Sequence, residues 1–116
     1  MTSLPDPAEA EYLRRVLETY RRTPGTTGHV RPADRRLARQ LLARQVAVQT
    51  IDDAFLLASV RRFGKATPAS SPPTVRSLSY FLPVIEELLR EPFPDAYRQY
   101  LAGHLARALV RLGVPT

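Results

Sequence analysis

Apolar residues recur along the chain at spacings of three and four, a pattern that is typical of amphipathic α-helices. The first helical segment begins at DPAE, where Asp6 can cap a helix and Pro7 suits its first position. It ends before TPGTTG, because proline and glycine there interrupt a helix. A second segment runs from Pro32 to about Gln45. The apolar face of the first segment consists of Tyr12, Leu13, Val16, Leu17 and Tyr20.

The third segment, residues 51–63, is apolar on nearly every side rather than on one face. A helix with this pattern has to be buried, so we expect it at the centre of the fold. Thr50 is its expected N-cap, with Asp53 as the reciprocal capping partner. Gly64 is expected to close the helix just beyond its last residue.

Residues 65–74 are rich in proline and serine and have no periodicity, so we expect a mobile loop. From residue 75 to 91 the apolar positions form one stripe that keeps its phase on both sides of Pro83. Pro83 lies on the opposite, polar side, where the carbonyl of Ser79 that it frees can be hydrated. The pattern therefore favours one helix kinked at Pro83 over two separate helices.

A fifth segment, from about Pro94 to Leu112, has an apolar stripe over four helical turns. The five segments predict an all-α fold in which residues 1–116 form a single compact helical domain around the third helix. A chain of 116 residues can bury a core without disulfides, and it has no cysteine. Absence of cysteine agrees with a cytoplasmic protein, and we expect neither a signal peptide nor a membrane span.

Positive charge is concentrated in one quarter of the chain. The net charge is +6, and sixteen of the seventeen basic residues are arginine. Residues 1–20 contain two arginines and four acids, whereas residues 21–49 contain seven arginines and only Asp34 as an acid. The second range therefore has a net charge of +6, equal to that of the whole chain. A GC-rich coding sequence explains the abundance of arginine but not its location.

The candidate nucleic-acid-binding residues are Arg21, Arg22, Arg31, Arg35, Arg36 and Arg39. If the first two helices form an antiparallel hairpin, these six side chains converge near TPGTTG and the positive end of the second helix. Guanidinium groups bind phosphate bidentately, and several such contacts give salt-sensitive binding of nucleic acid. Two alternatives stay open for these arginines: a solvated face without a ligand, or a contact for an acidic protein patch.

The sequence contains little that could support catalysis, so we expect no enzyme, no cofactor and no metal. The two histidines are far apart in the sequence. The neighbouring acids Asp52–Asp53 and Glu86–Glu87 diverge by about 100° on a helix, so neither pair forms a two-carboxylate site. Phosphate-loop, nucleophile and metal-ligand motifs are not found in the sequence. A Gly/Thr turn such as TPGTTG could bind an anion through its backbone amides.

Residues 33–63 also have the spacing of a helix-turn-helix, with the third segment as the recognition helix. Asp52 and Asp53 at its start would repel phosphates, and its apolar sides need to be buried. We therefore reject base recognition by this helix and assign the nucleic-acid contact to the second helix or the loop before it.

Residues 32–63 combine a basic helix, a short turn and a second helix that opens with Ile51 and Ala54. A linker and a helix that begins RSLSY follow. Over about residues 32–90 this arrangement resembles the C-terminal helical module of the DnaD-like family of primosomal and replication-initiation proteins. The chain also resembles small, uncharacterised arginine-rich bacterial proteins. The matching positions are Ile51, Ala54, Ser77, Leu78, Tyr80 and Ile85.

The resemblance implies DNA binding and contact with a replicative helicase or initiator. Our hypothesis is a non-enzymatic accessory protein that binds the nucleic-acid backbone, DNA rather than RNA, in replication or mobile-element maintenance. The alternative is a small helical protein-interaction subunit of a larger assembly, contacting its partner through Tyr97, Tyr100 and the C-terminal sequence LVRLGVP. Backbone binding weakens steeply with salt and an apolar contact does not, which separates the two functions.

Overall fold

The computed structural model describes residues 6–114, which form five α-helices. A 3₁₀ helix, Leu78–Phe81, leads directly into the fourth α-helix. Within residues 6–114 there is no β-strand, only two isolated bridges. The all-α bundle predicted from the periodicity is therefore confirmed. The helices are α1 (Pro7–Arg22), α2 (Pro32–Ala43), α3 (Val48–Phe63), α4 (Leu82–Arg90) and α5 (Asp95–Leu112).

Helix α3 lies at the centre of the bundle, as its all-round apolar pattern predicts. It packs against α1, α4, α5 and the 3₁₀ helix, and Ile51 and Ala54 are completely buried. Phe55 meets Phe81 of the 3₁₀ helix edge to face, with ring centroids 4.9 Å apart. Tyr20 of α1 approaches the same Phe81 ring with a centroid distance of 6.1 Å. This aromatic cluster joins three elements in the core.

The start of α3 differs from the prediction. Val48 is its first residue and Ala47 its N-cap, so Thr50 lies inside the first turn and does not cap the helix. Asp53 is likewise not a capping partner, because its carboxylate is hydrogen-bonded elsewhere. Gly64 ends the helix as predicted, with an ordinary right-handed backbone conformation.

The predicted kink at Pro83 is wrong. The α-helical backbone begins only at Leu82, so Pro83 lies in the first turn of α4, where the missing N–H removes no helical hydrogen bond. The carbonyl of Ser79 is not left to water, because the Leu82 amide donates to it in the 3₁₀ pattern. The apolar stripe nevertheless keeps its phase across the junction. Its buried members are Leu78, Phe81, Ile85 and Leu88.

The Pro/Ser-rich loop, residues 65–74, has no regular structure apart from a turn, and its mobility stays a prediction. The residue that follows the loop, Val75, is buried. The Val75 amide donates to the carbonyl of Gly25 at 2.8 Å, and its carbonyl accepts from the Thr27 amide at 3.1 Å. These bonds attach the start of the 3₁₀ segment to the loop between α1 and α2.

Arg62 near the end of α3 strengthens this attachment. Its guanidinium group donates to the carbonyls of Pro24 and Pro73, one on each loop. The same group lies over the rings of Phe63 and Tyr80, at 5.1 and 5.6 Å from their centroids. Arg62 is therefore a structural residue that holds two loops together.

Asp34, the one acid of the basic range 21–49, is buried and connects α2 to the 3₁₀ helix. Its side chain is only 2 % exposed and accepts hydrogen bonds from the amides of Arg31 and Leu78, each at 2.9 Å. Amides at the start of a helix have no hydrogen-bond partner within that helix. The Asp34 carboxylate accepts from one such amide at α2 and from one at the 3₁₀ helix.

Replacing Asp34 by Ala should lower the free energy of unfolding by about 3 kcal/mol, because the buried amide of Leu78 and the part-buried amide of Arg31 both lose the carboxylate that accepts from them. Urea denaturation followed by circular dichroism measures this change. The control is Glu91→Ala, an exposed acid without an ion pair among the described residues, which should change stability by less than about 0.5 kcal/mol. Equal stabilities of the two variants would contradict the role of Asp34.

Gly25 and Gly28 provide a matched test of the Arg62 contact. Both have positive φ, 84° and 79°, so alanine is strained at either position. A Cβ at Gly25 would lie 2.5 Å from Nη1 of Arg62 and 2.9 Å from Cζ of the buried Phe63, whereas one at Gly28 would meet nothing within 4 Å. Gly25→Ala should therefore destabilise the protein by about 1–2 kcal/mol more than Gly28→Ala in the same urea experiment. A difference near zero would show that both Arg62 and Phe63 move aside without cost.

Candidate nucleic-acid interface

Helices α1 and α2 form the antiparallel hairpin on which the predicted site depends. Tyr12, near the start of α1, donates its hydroxyl proton to the carbonyl of Val46, beyond the end of α2, at 2.7 Å. At the other end of the hairpin, Arg21 near the end of α1 lines the same groove as Arg35 near the start of α2. The end of α1 and the start of α2 therefore lie at the same end of the molecule.

Helix α2 separates its apolar and basic residues onto opposite sides. Its inner side buries Ala38 and Leu41, as the periodicity predicts. Its outer side is exposed and carries the residues that we call the α2 arginine surface. These residues are Arg31, Arg35, Arg36 and Arg39.

The four arginines of the α2 arginine surface differ from most other arginines of the chain because they have no acidic partner among the described residues. Two arginines elsewhere, Arg62 and Arg111, donate to backbone carbonyls. Three further unpaired arginines, Arg76, Arg90 and Arg107, lie in separate parts of the fold. The arginines that form ion pairs with carboxylates are Arg14, Arg15, Arg21, Arg22, Arg44, Arg61 and Arg98.

No acid of α2 offsets this charge on its outer side. Asp34 is the helix's one carboxylate, and it points inward to the amides of Arg31 and Leu78. The solvent side of α2 and its N-cap therefore carries four positive charges and no negative charge. Because the N-terminus of α2 adds the positive end of the helix dipole, this surface favours anions.

Arg21 and Arg22 belong to a different electrostatic environment from the other four predicted residues. Both pair with Glu18 one turn earlier in α1, at 2.6 and 2.9 Å. The hydrogen bond from Arg21 is the largest cause of the lowered pKa of Glu18. The spacings of three and four residues are the sequence signal for these two pairs. The structure therefore centres the candidate site on α2.

A groove of about 910 Å³ lies between α1 and α2 and contains part of the predicted site. Its polar walls include Arg21, Arg35 and Arg39 but also the acids Glu9 and Glu18, whereas Arg31 and Arg36 lie outside it. Its apolar lining is formed by Ala10, Leu13, Leu17, Val30, Leu42 and Ala43. The six predicted arginines thus do not all converge on one point.

The Gly/Thr loop, residues 23–28, does not present a row of free amides. The amide of Thr26 donates to the carbonyl of Thr23, and that of Thr27 donates to the carbonyl of Val75. Just beyond the loop, the amide of His29 donates to the hydroxyl of Thr27. Anion binding by the backbone of this loop is therefore not supported by its geometry.

Both acids at the start of α3 face neighbouring helices. Asp53 accepts two hydrogen bonds from Arg98 of α5, at 2.6 and 2.7 Å, and these bonds raise the pKa of Arg98. Asp52 pairs with Arg15 of α1 at 3.1 Å. With α1, α4 and α5 packed around it, α3 has no free face that could enter a DNA groove.

Burial raises the pKa of Asp52, an effect larger than the lowering caused by Arg15. Its Oδ1 atom is buried without a hydrogen-bond partner in the described part of the chain. The charged form of this side chain is therefore poorly compensated in the folded protein.

Residues 6–114 contain no group of three or more side chains that could hold a metal ion. In the same range, no helix has the length and apolar composition required to cross a bilayer.

No protein-family model, curated protein or solved structure matches this chain. The resemblance to the DnaD-like module therefore stays a prediction based on short stretches. Four of its six matching positions are completely buried, so at these positions the resemblance concerns the packing of the core. They are Ile51, Ala54, Leu78 and Ile85. The exposed one, Tyr80, packs beside Arg62.

Asp52→Asn should raise the free energy of unfolding at pH 7. The folded protein holds the Asp52 proton more tightly than the unfolded chain, so stability from this group is lost as pH rises through the folded pKa. Asparagine stays uncharged at every pH, so the variant does not lose this stability. The stability advantage of the variant over the wild type should disappear below the ordinary carboxyl pKa of 3.8, where Asp52 is protonated too. Urea denaturation from about pH 3 to pH 7 tests this. The control, Asp95→Asn, changes a side chain that is 89 % exposed and should give no gain.

Proposed function

We propose that this protein binds the phosphate backbone of a nucleic acid through the α2 arginine surface, as a non-enzymatic cytoplasmic accessory protein. The observation that supports the proposal most directly is the clustering of Arg31, Arg35, Arg36 and Arg39 without acidic partners within residues 6–114. Most arginines of the rest of the chain have partners within the fold. Four neighbouring side chains are thus left with their full charge available for a ligand.

The arrangement of these residues fits a run of phosphates. Arg35 and Arg39 are one helical turn apart in α2 and Arg31 is its N-cap, so the three residues span about 12 Å along the helix axis. A guanidinium group binds phosphate oxygens through two parallel hydrogen bonds. Each neutralised phosphate also releases counterions, which makes the affinity strongly salt-dependent.

The biological context in the proposal comes from the resemblance to the DnaD-like module. That resemblance favours DNA over RNA, and a role in replication or mobile-element maintenance beside a helicase or initiator. The electrostatic argument stands without it, because phosphate contacts carry no information about base or sugar.

Replacing Arg35, Arg36 and Arg39 by Ala should weaken DNA binding and reduce the slope of log affinity against log salt by about 2 to 3. The measurement is fluorescence anisotropy of labelled single-stranded DNA, duplex DNA and RNA of one length, across a salt series. Circular dichroism confirms that each variant is folded.

The matched control replaces the same number of arginines that already have acidic partners: Arg15, Arg44 and Arg61. The net charge changes by the same amount, but most of the salt slope should persist because these side chains are already neutralised. Equal losses in both triple variants would show a general charge effect. Absence of binding at low salt by the folded wild-type protein would contradict the proposal.

A second candidate function is that of a protein-interaction subunit. Tyr97 and Tyr100 are exposed as predicted, and Val110 in the C-terminal sequence LVRLGVP is 79 % exposed. Pro115 of that sequence lies outside the described residues. An apolar contact here would be insensitive both to salt and to the α2 substitutions, so the same experiments distinguish it.

A further inference from the structure

Helix α5 and the short segment before it carry a row of aromatic rings that the proposed backbone contact does not use. We call Phe93, Tyr97, Tyr100 and His104 the aromatic row. The planes of Tyr97 and Tyr100 differ by 18°, with centroids 5.9 Å apart, and those of Tyr100 and His104 by 21°, at 6.2 Å. Phe93 adds an edge contact to Tyr97 at 5.4 Å. Three rings are thus nearly parallel along the helix.

The two tyrosines of the aromatic row lie outside the core, whereas Phe93 is partly buried against it and His104 is partly buried. Tyr100 is 59 % exposed and Tyr97 is 44 % exposed. The packing of α5 depends instead on Leu101, Ala108 and Leu109, which are buried. Since the two tyrosines add little to the core, their exposed rings are available to a ligand.

The charge beside the aromatic row suits an anionic ligand. Arg107 follows Tyr100 and His104 on one side of α5 and has no acidic partner in residues 6–114. Its guanidinium group folds back along the helix, since a Cβ at Gly103 would lie 3.3 Å from its Nη1 atom. The helix's one acid, Asp95, is paired with Arg98. Aromatic rings and a free arginine therefore share one surface.

We infer that the aromatic row stacks the bases of a single-stranded nucleic acid, with Arg107 at an adjacent phosphate. Exposed aromatic rings bind bases of any sequence face to face, and a neighbouring arginine holds the backbone. Bases in a duplex are stacked on one another and cannot use such a surface. The inference rests on the proposed function and deepens it by assigning the class of nucleic acid.

The test compares a thymidine oligonucleotide with an abasic oligonucleotide of equal length, which has the same phosphates but no bases. Wild-type protein should bind the thymidine oligonucleotide about tenfold more tightly. Tyr97→Leu combined with Tyr100→Leu keeps apolar side chains but removes the rings, so the variant should bind both oligonucleotides alike. Its salt slope should stay that of the wild type, because the phosphate contacts of α2 are intact.

Tyrosine fluorescence gives an independent readout of stacking, because the chain has five tyrosines and no tryptophan. The thymidine oligonucleotide should quench the wild-type signal more than the abasic one. The control is Tyr80→Leu, which removes an exposed tyrosine of the 3₁₀ helix outside the aromatic row. This variant should keep both the base-dependent quenching and the tenfold difference in affinity.

The outcomes separate this inference from the proposed function. Equal wild-type affinity for both oligonucleotides overturns base stacking and leaves the backbone contact standing. Failure to bind either oligonucleotide at low salt overturns the proposed function. A wild-type dimer in sedimentation velocity that becomes a monomer in the double variant, with unchanged DNA affinity, shows that the row contacts a second copy and overturns the inference.

Discussion

The burial of α3 is the constraint on which the rest of the structure depends. A helix that is apolar on nearly every side is stable only when other elements cover it all round. Helices α1, α4 and α5 and the 3₁₀ helix provide that cover. The two acids at its start then need partners from the covering helices, and Arg15 of α1 and Arg98 of α5 provide them. One hydrophobic requirement thus explains both the packing and two of its ion pairs.

The burial of α3 also explains why unpaired arginines remain on α2. Helix α2 packs mainly on α1 and the 3₁₀ helix, so it contributes no arginine to the acids of α3. Its own acid, Asp34, is used inside the fold to hold the start of the 3₁₀ helix. Helix α2 is thus a peripheral helix whose acid faces inward and whose arginines face outward. Four of the seven arginines of residues 21–49 therefore form the α2 arginine surface, whereas the other three pair with Glu18 and Glu86.

Helical periodicity was sufficient to predict the five helices, the central position of α3 and the exposure of Arg35 and Arg39. It could not distinguish a 3₁₀ turn from an α-helix before Pro83, because residues three apart share a side in both. The bond between Asp34 and Leu78 joins residues 44 positions apart, so no local pattern reveals it. Tertiary ion pairs such as that of Arg44 with Glu86 are hidden from the sequence in the same way, whereas the pairing of Arg21 and Arg22 with Glu18 follows from local spacing.

The α2 arginine surface and the aromatic row lie on different helices, and they act on different parts of a nucleic acid. Packing follows the order α2 on α1, α1 on α3 and α3 on α5, so two helices separate the two surfaces. Electrostatic contacts at α2 depend on salt and ignore the bases, whereas stacking on α5 depends on the bases and far less on salt. A strand that reached both would gain affinity from two independent sources. The contribution of each surface can therefore be removed without altering the other.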